Sequence, residues 1–282
     1  MKLVRYEGQS GVGLGVVTER GITPLGAIAN RFPAMLSLIE NWDEAQPLIQ
    51  AEIRSALPIP QSDVRLLSPL ERPEKFLAIG MNYELHAEEA RRLGTERPKH
   101  QLWFNKQVSC LSGPFDPIDP GVSEQLDYEA ELGVIIGKRA KSVTQAAAPL
   151  TIFGYVVVND VSARDWQRHS PTFTMGKSFD THGPIGPWIV TADELPDPHH
   201  LRLRCWVNGE LRQDSDTSKL IYNIWQQIAY LSTAFTLSPG DIIATGTPEG
   251  VGIAMTPPVF LKSGDVVRCE IERIGAIENK VI

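Results

Sequence analysis

The 282-residue sequence predicts a mostly β protein with a few helices and a largely antiparallel strand arrangement. Short apolar or alternating segments outnumber helical ones, and they do not alternate regularly with helices as a doubly wound fold requires. Asn208-Gly209, set between an alternating segment and residues 210–213, is a strong two-residue hairpin signal.

In chain order, residues 3–6 and 12–17 read as strands around the turn Glu7-Gly8-Gln9-Ser10-Gly11, and helical material follows over 32–57. The spacing of Gly11, Gly13 and Gly15 misses the dinucleotide fingerprint and opens no helix. Pro58, Pro60, Pro69 and Pro73 mark a connector that sets a small N-terminal domain, 1–70, apart from a larger one, 71–282. Residues 75–79 form a short apolar strand, and a polar helix over 83–93 stops at Gly94. Over 126–136, Leu126, Tyr128, Ala130, Leu132 and Val134 fall on one strand face and Asp127, Glu129 and Glu131 on the other. Residues 153–158 make a continuous apolar strand that ends in Asn159-Asp160, and Leu201, Leu203, Cys205 and Val207 alternate again. A helix over 223–237 opens with Asn223 and Gln226 at capping-box spacing and aligns Ile224, Ile228, Leu231 and Phe235. Strands over 241–245 and 266–274 follow, with the Gly-rich loop 246–252 and the turn Ser263-Gly264-Asp265 between them.

A formal net charge of -7 provides no long-range positive field to collect nucleic acid or an anionic membrane surface. A small anionic substrate therefore needs local positive charge, from a metal or from placed Lys or Arg. Cys110, Cys205 and Cys269 form no zinc or redox spacing and are expected as buried, reduced thiols. Lys2, Arg5 and Glu7 stand where a signal peptide carries its apolar stretch, and no apolar run is long enough to span a membrane. The expectation is a cytoplasmic protein.

Glu129 and Glu131, two apart on a strand, can send both carboxylates to one hard cation. Taken alone, that spacing fits a solvated polar strand face better. Asp160 shifts the balance, because a carboxylate ending a fully apolar strand is costly unless solvated or bound. Three carboxylates with no His or Cys cluster nearby favour Mg²⁺ or Mn²⁺ over zinc. His86 and Glu89 share a helix face, where they are either an ordinary surface pair or a general base with its orienting carboxylate. Gly80 and Gly94 bracket that stretch as hinges of a lid would. Lys177 lies in a short polar loop, where most lysines are unremarkable surface residues. Arg164 and Gln167 follow Asp160 closely enough to be turned toward the same place and to suit a substrate oxyanion. The loop containing Thr247 offers backbone N–H groups and a hydroxyl, or is a plain strand connection.

Together these segments resemble the fumarylacetoacetate hydrolase family. The resemblance runs from about Phe76 to the C-terminus. It is carried by Ile79-Gly80-Met81-Asn82-Tyr83 with His86, Asp127-Tyr128-Glu129-Ala130-Glu131-Leu132-Gly133, Val158-Asn159-Asp160-Val161-Ser162-Ala163-Arg164-Asp165, Gly176-Lys177-Ser178-Phe179-Asp180 and Thr245-Gly246-Thr247-Pro248. It implies a C-terminal mixed β-roll, a small N-terminal α+β domain and a homodimer. It also implies Mg²⁺ or Mn²⁺ on Glu129, Glu131 and Asp160, a lid dyad of His86 and Glu89, and Lys177 as the active-site lysine. Arg164, Gln167, Tyr83 and Thr247 match substrate-contacting positions. Met81 departs from the Arg of some acylpyruvate-cleaving members, and Ser170-Pro171-Thr172-Phe173-Thr174-Met175 departs from the Trp-containing version of many relatives. The expected reaction is hydrolysis of a carbon-carbon bond in a small 2-oxo or 1,3-dicarbonyl acid by water activated at His86. Decarboxylation or isomerisation of a related diacid is the alternative, and an inactive metal-binding homologue is the non-enzyme one.

Overall fold

The computed structural model describes residues 1–282. Thirteen strands of three residues or more build it: β1 (Lys2–Gly8), β2 (Gly11–Thr18), β3 (Gly21–Pro24), β4 (Phe76–Gly80), β5 (Leu102–Lys106), β6 (Ala130–Ile136), β7 (Ile152–Asn159), β8 (Gly183–Thr191), β9 (Arg202–Val207), β10 (Glu210–Asp216), β11 (Ile242–Ala244), β12 (Val266–Ile271) and β13 (Gly275–Lys280). Six α-helices accompany them: α1 (Gly26–Ala29), α2 (Met35–Glu40), α3 (Trp42–Ser55), α4 (Glu84–Arg92), α5 (Arg164–Gln167) and α6 (Ile224–Ala234). The main sheet has the order β3-β2-β1-β8-β7-β6-β11-β4-β5, and a second, four-stranded sheet has the order β10-β9-β12-β13. Antiparallel pairing dominates; β11 with β4 and a short segment at Leu111–Ser112 with β8 are the parallel exceptions. Because β1 pairs with β8, the strands of the first 24 residues extend the same sheet that carries the middle of the chain.

The centre of the main sheet is covered on both faces. Leu132, Val134 and Ile136 of β6 pack with Leu203, Cys205 and Val207 of β9 and with Ile224, Ile228 and Leu231 of α6. Ile135 of the same strand joins a second cluster with Val156 and Val158 of β7, Leu3, and Met35, Leu38 and Ile49 of α2 and α3. The alternation expected over 126–136 is thus real, but β6 is buried along its whole length. Period-two patterning reports which residues share a face; it does not report what covers the other face.

Local signals account for several elements. Asn208 and Gly209 both have positive φ, as a type I′ hairpin turn demands, and β9 and β10 pair across them. Helix α6 begins with the expected reciprocal capping box of Asn223 and Gln226 but ends at Ala234, earlier than its pattern suggests, because Phe235 turns extended. The helical stretch after Phe32 divides at Asn41 into α2 and α3. Strand β8 has no clear sequence signature, since Pro184, Gly186 and Pro187 argue against a central strand. A register shift opposite Tyr155 and Val157 accommodates them.

Candidate active site

The β6–β7 register assembles the acidic cluster. Glu131 lies opposite Val158 and Ala130 opposite Asn159; one step beyond the ladder, the Asp160 N–H donates to the Glu129 carbonyl at 2.8 Å. Asn159 Oδ1 accepts from the Glu129 N–H at 3.1 Å and fixes the last turn of that junction. Carboxylate oxygens of Glu129, Glu131 and Asp160 consequently lie within 4.8 Å of one another, all three buried. Their sequence spacing did not disclose that burial, which is what turns a polar strand face into a site.

Three cations are built into this cluster. Lys177 Nζ donates to Glu129 Oε2 at 2.7 Å and to Asp160 Oδ2 at 2.8 Å. Arg164 pairs its Nη2 with Glu129 Oε1 at 2.7 Å, donates from Nε to Asp127 Oδ2 at 2.9 Å and from Nη1 to Gln167 Oε1 at 3.1 Å. Lys106, at the end of β5, donates to Asp160 Oδ1 at 2.6 Å and to the Lys177 carbonyl. Lys177 reaches its place because the preceding turn presses onto α5, where a Cβ at Gly176 would meet Gln167 N at 2.3 Å. Lys106 is the member that sequence reasoning missed, whereas it places Asp127 on the face of Glu129 and Glu131 without a role. Asp127 accepts from the backbone N–H groups of Gly252 and Ile253 at 2.8 and 3.0 Å, tying the Gly-rich loop to the cluster.

The electrostatics are uneven. Burial opposes ionisation of Glu129, yet Lys177 and Arg164 outweigh it and hold the carboxyl well below the usual range. Glu131 is pushed the other way, by burial first and then by the negative charge of Asp160 and Glu129; its one hydrogen bond comes from Gly246 N–H at 2.7 Å. Four carboxylates, Asp127, Glu129, Glu131 and Asp160, thus face three cations. The excess negative charge at buried hard oxygen donors is what Mg²⁺ or Mn²⁺ would relieve, so the donor set fits such an ion.

A cleft of about 810 Å³ opens above the cluster. Glu129, Glu131, Lys177, Arg164, Gln167 and Thr247 line it, and α4 supplies His86 and Glu89 from the other side. Helix α4 ends as expected, with Gly94 and Thr95 returning N–H bonds to Arg91 and Ala90. His86 Nδ1 lies 3.1 Å from Glu89 Oε2, and Glu89 Oε1 accepts from Gly250 N–H at 2.9 Å. With Nδ1 held, Nε2 is the ring nitrogen left to act. Asp160 lies fully buried beneath the lining.

Of the residues expected at the substrate, Tyr83 is absent from the cleft wall, and Thr247 lines the cleft with its hydroxyl engaged by the protein. Tyr83, the N-cap of α4, is 1% exposed; its backbone bridges to Leu220 and its hydroxyl has no hydrogen-bond partner. The Thr247 hydroxyl donates to the Ala130 carbonyl and accepts from Gln213 Nε2, both at 2.9 Å, so its proton is already committed.

Residues 75–282 match the family model described as the C-terminal domain of fumarylacetoacetate (FAA) hydrolase. The whole chain aligns with 92% of "Oxaloacetate tautomerase FAHD2B, mitochondrial" from Bos taurus at 41% identity. Among solved structures it is similar to fumarylacetoacetate hydrolase from Exiguobacterium antarcticum, with 36% identity and TM-score 0.88, covering 100% of this chain and 99% of that one. It is also similar to maleylpyruvate hydrolase from Sphingobium sp. SYK-6 in complex with manganese(II) and pyruvate, with 34% identity, TM-score 0.84 and the same coverage. No helix is long and apolar enough to cross a membrane.

Proposed function

Since the chain belongs to the fumarylacetoacetate hydrolase family, whose members include tautomerases, isomerases and hydrolases of small acids, we propose that it is a divalent-metal-dependent tautomerase. Its substrate class is a short 2-oxo dicarboxylic acid of the oxaloacetate type. The observation that carries the reading is the His86–Glu89 pair, anchored to Gly250 and lining the same cleft as the carboxylate cluster. The relatives that match over the full chain and bear tautomerase names favour this reaction over the carbon-carbon hydrolysis expected from the sequence.

Glu129, Glu131 and Asp160 would hold Mg²⁺ or Mn²⁺. When bound, the ion supplies Lewis-acid polarisation of the substrate carbonyl. His86 Nε2 takes the proton from the carbon beside the carbonyl, and the imidazolium is stabilised by Glu89. The same proton is returned to the carbonyl oxygen, which completes keto-to-enol conversion with no net uptake of water. Lys177 has a third N–H beyond those given to Glu129 and Asp160, and this one can donate to the developing oxyanion. Arg164 gives three of its five N–H groups to Asp127, Glu129 and Gln167 and so positions these side chains, and its two remaining N–H groups are left for the substrate. The protein acts as a homodimer in this reading, and its three free buried cysteines suit a reducing compartment.

The test is oxaloacetate in D₂O with Mg²⁺ or Mn²⁺, followed by NMR. Catalysed exchange at C3 without release of smaller acids is expected, and His86→Ala should slow it by about 10²- to 10⁴-fold. Release of two acid fragments from an acylpyruvate, with water consumed and no accelerated exchange in oxaloacetate, would establish hydrolysis. That second reading draws on the same dyad, acting on water, and on the likeness to maleylpyruvate hydrolase.

A further inference from the structure

Arg168 stands apart from the other cations of the cleft. Arg164 and Lys177, which line the cleft with it, are each bound to carboxylates of the protein. The guanidinium of Arg168 has neither an ion pair nor a hydrogen bond, and the residue is exposed at the mouth. Backbone geometry aims it along the cleft: Arg168 is the C-cap of α5 and keeps helical φ and ψ, so it lies four residues beyond Arg164 on the same face. One helical turn, about 5.4 Å, separates the two along that face.

Part of the wall of the same cleft is apolar. Phe104 and Phe173 meet edge to face at 5.8 Å, and Phe173 holds that place with a positive φ of 61°. Leu102 and Ile253 add to the same lining. An ion pair formed against such a wall is less screened than one on an open surface, and a guanidinium offers a planar carboxylate two parallel donors.

We propose that Arg168 is the specificity residue that binds the far carboxylate of a dicarboxylic substrate, so that the cleft selects diacids over monoacids. The proposal rests on the small 2-oxo acid reading above and adds the source of its selectivity. It assigns no chemical step to Arg168, so its signature is in KM more than in kcat.

The experiment compares wild type, Arg168→Met and Arg168→Lys as full-length protein with Mg²⁺. The substrates are oxaloacetate and 2-oxobutanoate, in which a methyl group replaces the far carboxylate. Turnover is read as both C3 deuterium exchange and fragment release, and binding of each acid is measured by calorimetry. Arg168→Met should raise the oxaloacetate KM and Kd at least about tenfold and leave both constants for 2-oxobutanoate unchanged, with Arg168→Lys in between. Equal losses on the two acids, or no loss on oxaloacetate, would overturn the assignment. Fragment release in place of exchange in wild type would refute the tautomerase reading alone, because the binding difference between the two acids would still report on Arg168.

Discussion

Lys106 is the clearest case of a single residue whose importance comes entirely from the fold. Its ammonium is fully buried, and it secures Asp160 Oδ1 from behind while also gripping the Lys177 carbonyl. Removing Lys106 leaves Asp160 with Lys177 as its one cation and Oδ1 without a donor, at a cost of roughly 1–3 kcal/mol. Lys106→Met should therefore lower the unfolding free energy measured in urea by an amount of that order. Adding Asp160→Asn should cost less in the Lys106→Met background than in wild type, since the carboxylate there has already lost one of its two cations. Strictly additive losses in the double-mutant cycle, with coupling under about 0.5 kcal/mol, would show that the pair is energetically idle. Neither this lysine nor the strand it ends stands out in the sequence. Nothing local points to the observed role.

At the scale of elements, helix α4 and its anchor come from segments far apart in the chain. Glu89 of α4 is held by Gly250, whose φ is 99° and where an added Cβ would meet the Arg212 carbonyl at 2.0 Å. Gly250→Ala should cost about 1–3 kcal/mol in stability from strain. It should also lower kcat by displacing the acceptor that orients His86, and the matching readout is faster amide exchange across α4. An alanine variant with unchanged kcat and unchanged exchange would mean that the tether does not position the dyad. The helix α4, the β9–β10 hairpin and the start of α6 were legible because a glycine, an Asn-Gly pair and a capping box act within a few residues. The strand β8 was not, because its prolines are tolerated only through a register shift in its neighbour β7. The three carboxylates were legible as residues, whereas their convergence depends on the β6–β7 register, and the separation of Tyr83 from the cleft depends on packing around Leu220.

Over the whole molecule, the main sheet runs from the N-terminal strands through β8, β7 and β6 to β5, so the site rests on pairings that span the chain. The stability of that frame is linked to pH through His182, which is buried just outside the cluster. Its Nε2 lies 3.0 Å from the Asp119 carbonyl, its ring stacks on Phe179 at 5.1 Å, and Nδ1 has no partner. Burial and then Lys106 push its pKa down to about 4, so the folded protein keeps the ring neutral. An unfolded chain titrates the same histidine near about 6.5. Between those values the unfolded state binds more protons, so stability rises with pH across the window, is fully present above about pH 6.5, and is lost as pH falls toward 4. For this one group the loss from pH 7 to pH 5 comes to about 1–2 kcal/mol. Urea unfolding of wild type and His182→Asn at both pH values isolates it, because every other titrating group is shared. The asparagine variant should be less stable at pH 7 for want of the stacked ring, yet lose less on acidification than wild type by that same amount. Parallel losses in the two proteins would mean that the buried imidazole is not held neutral, and that the acid sensitivity of the fold arises elsewhere.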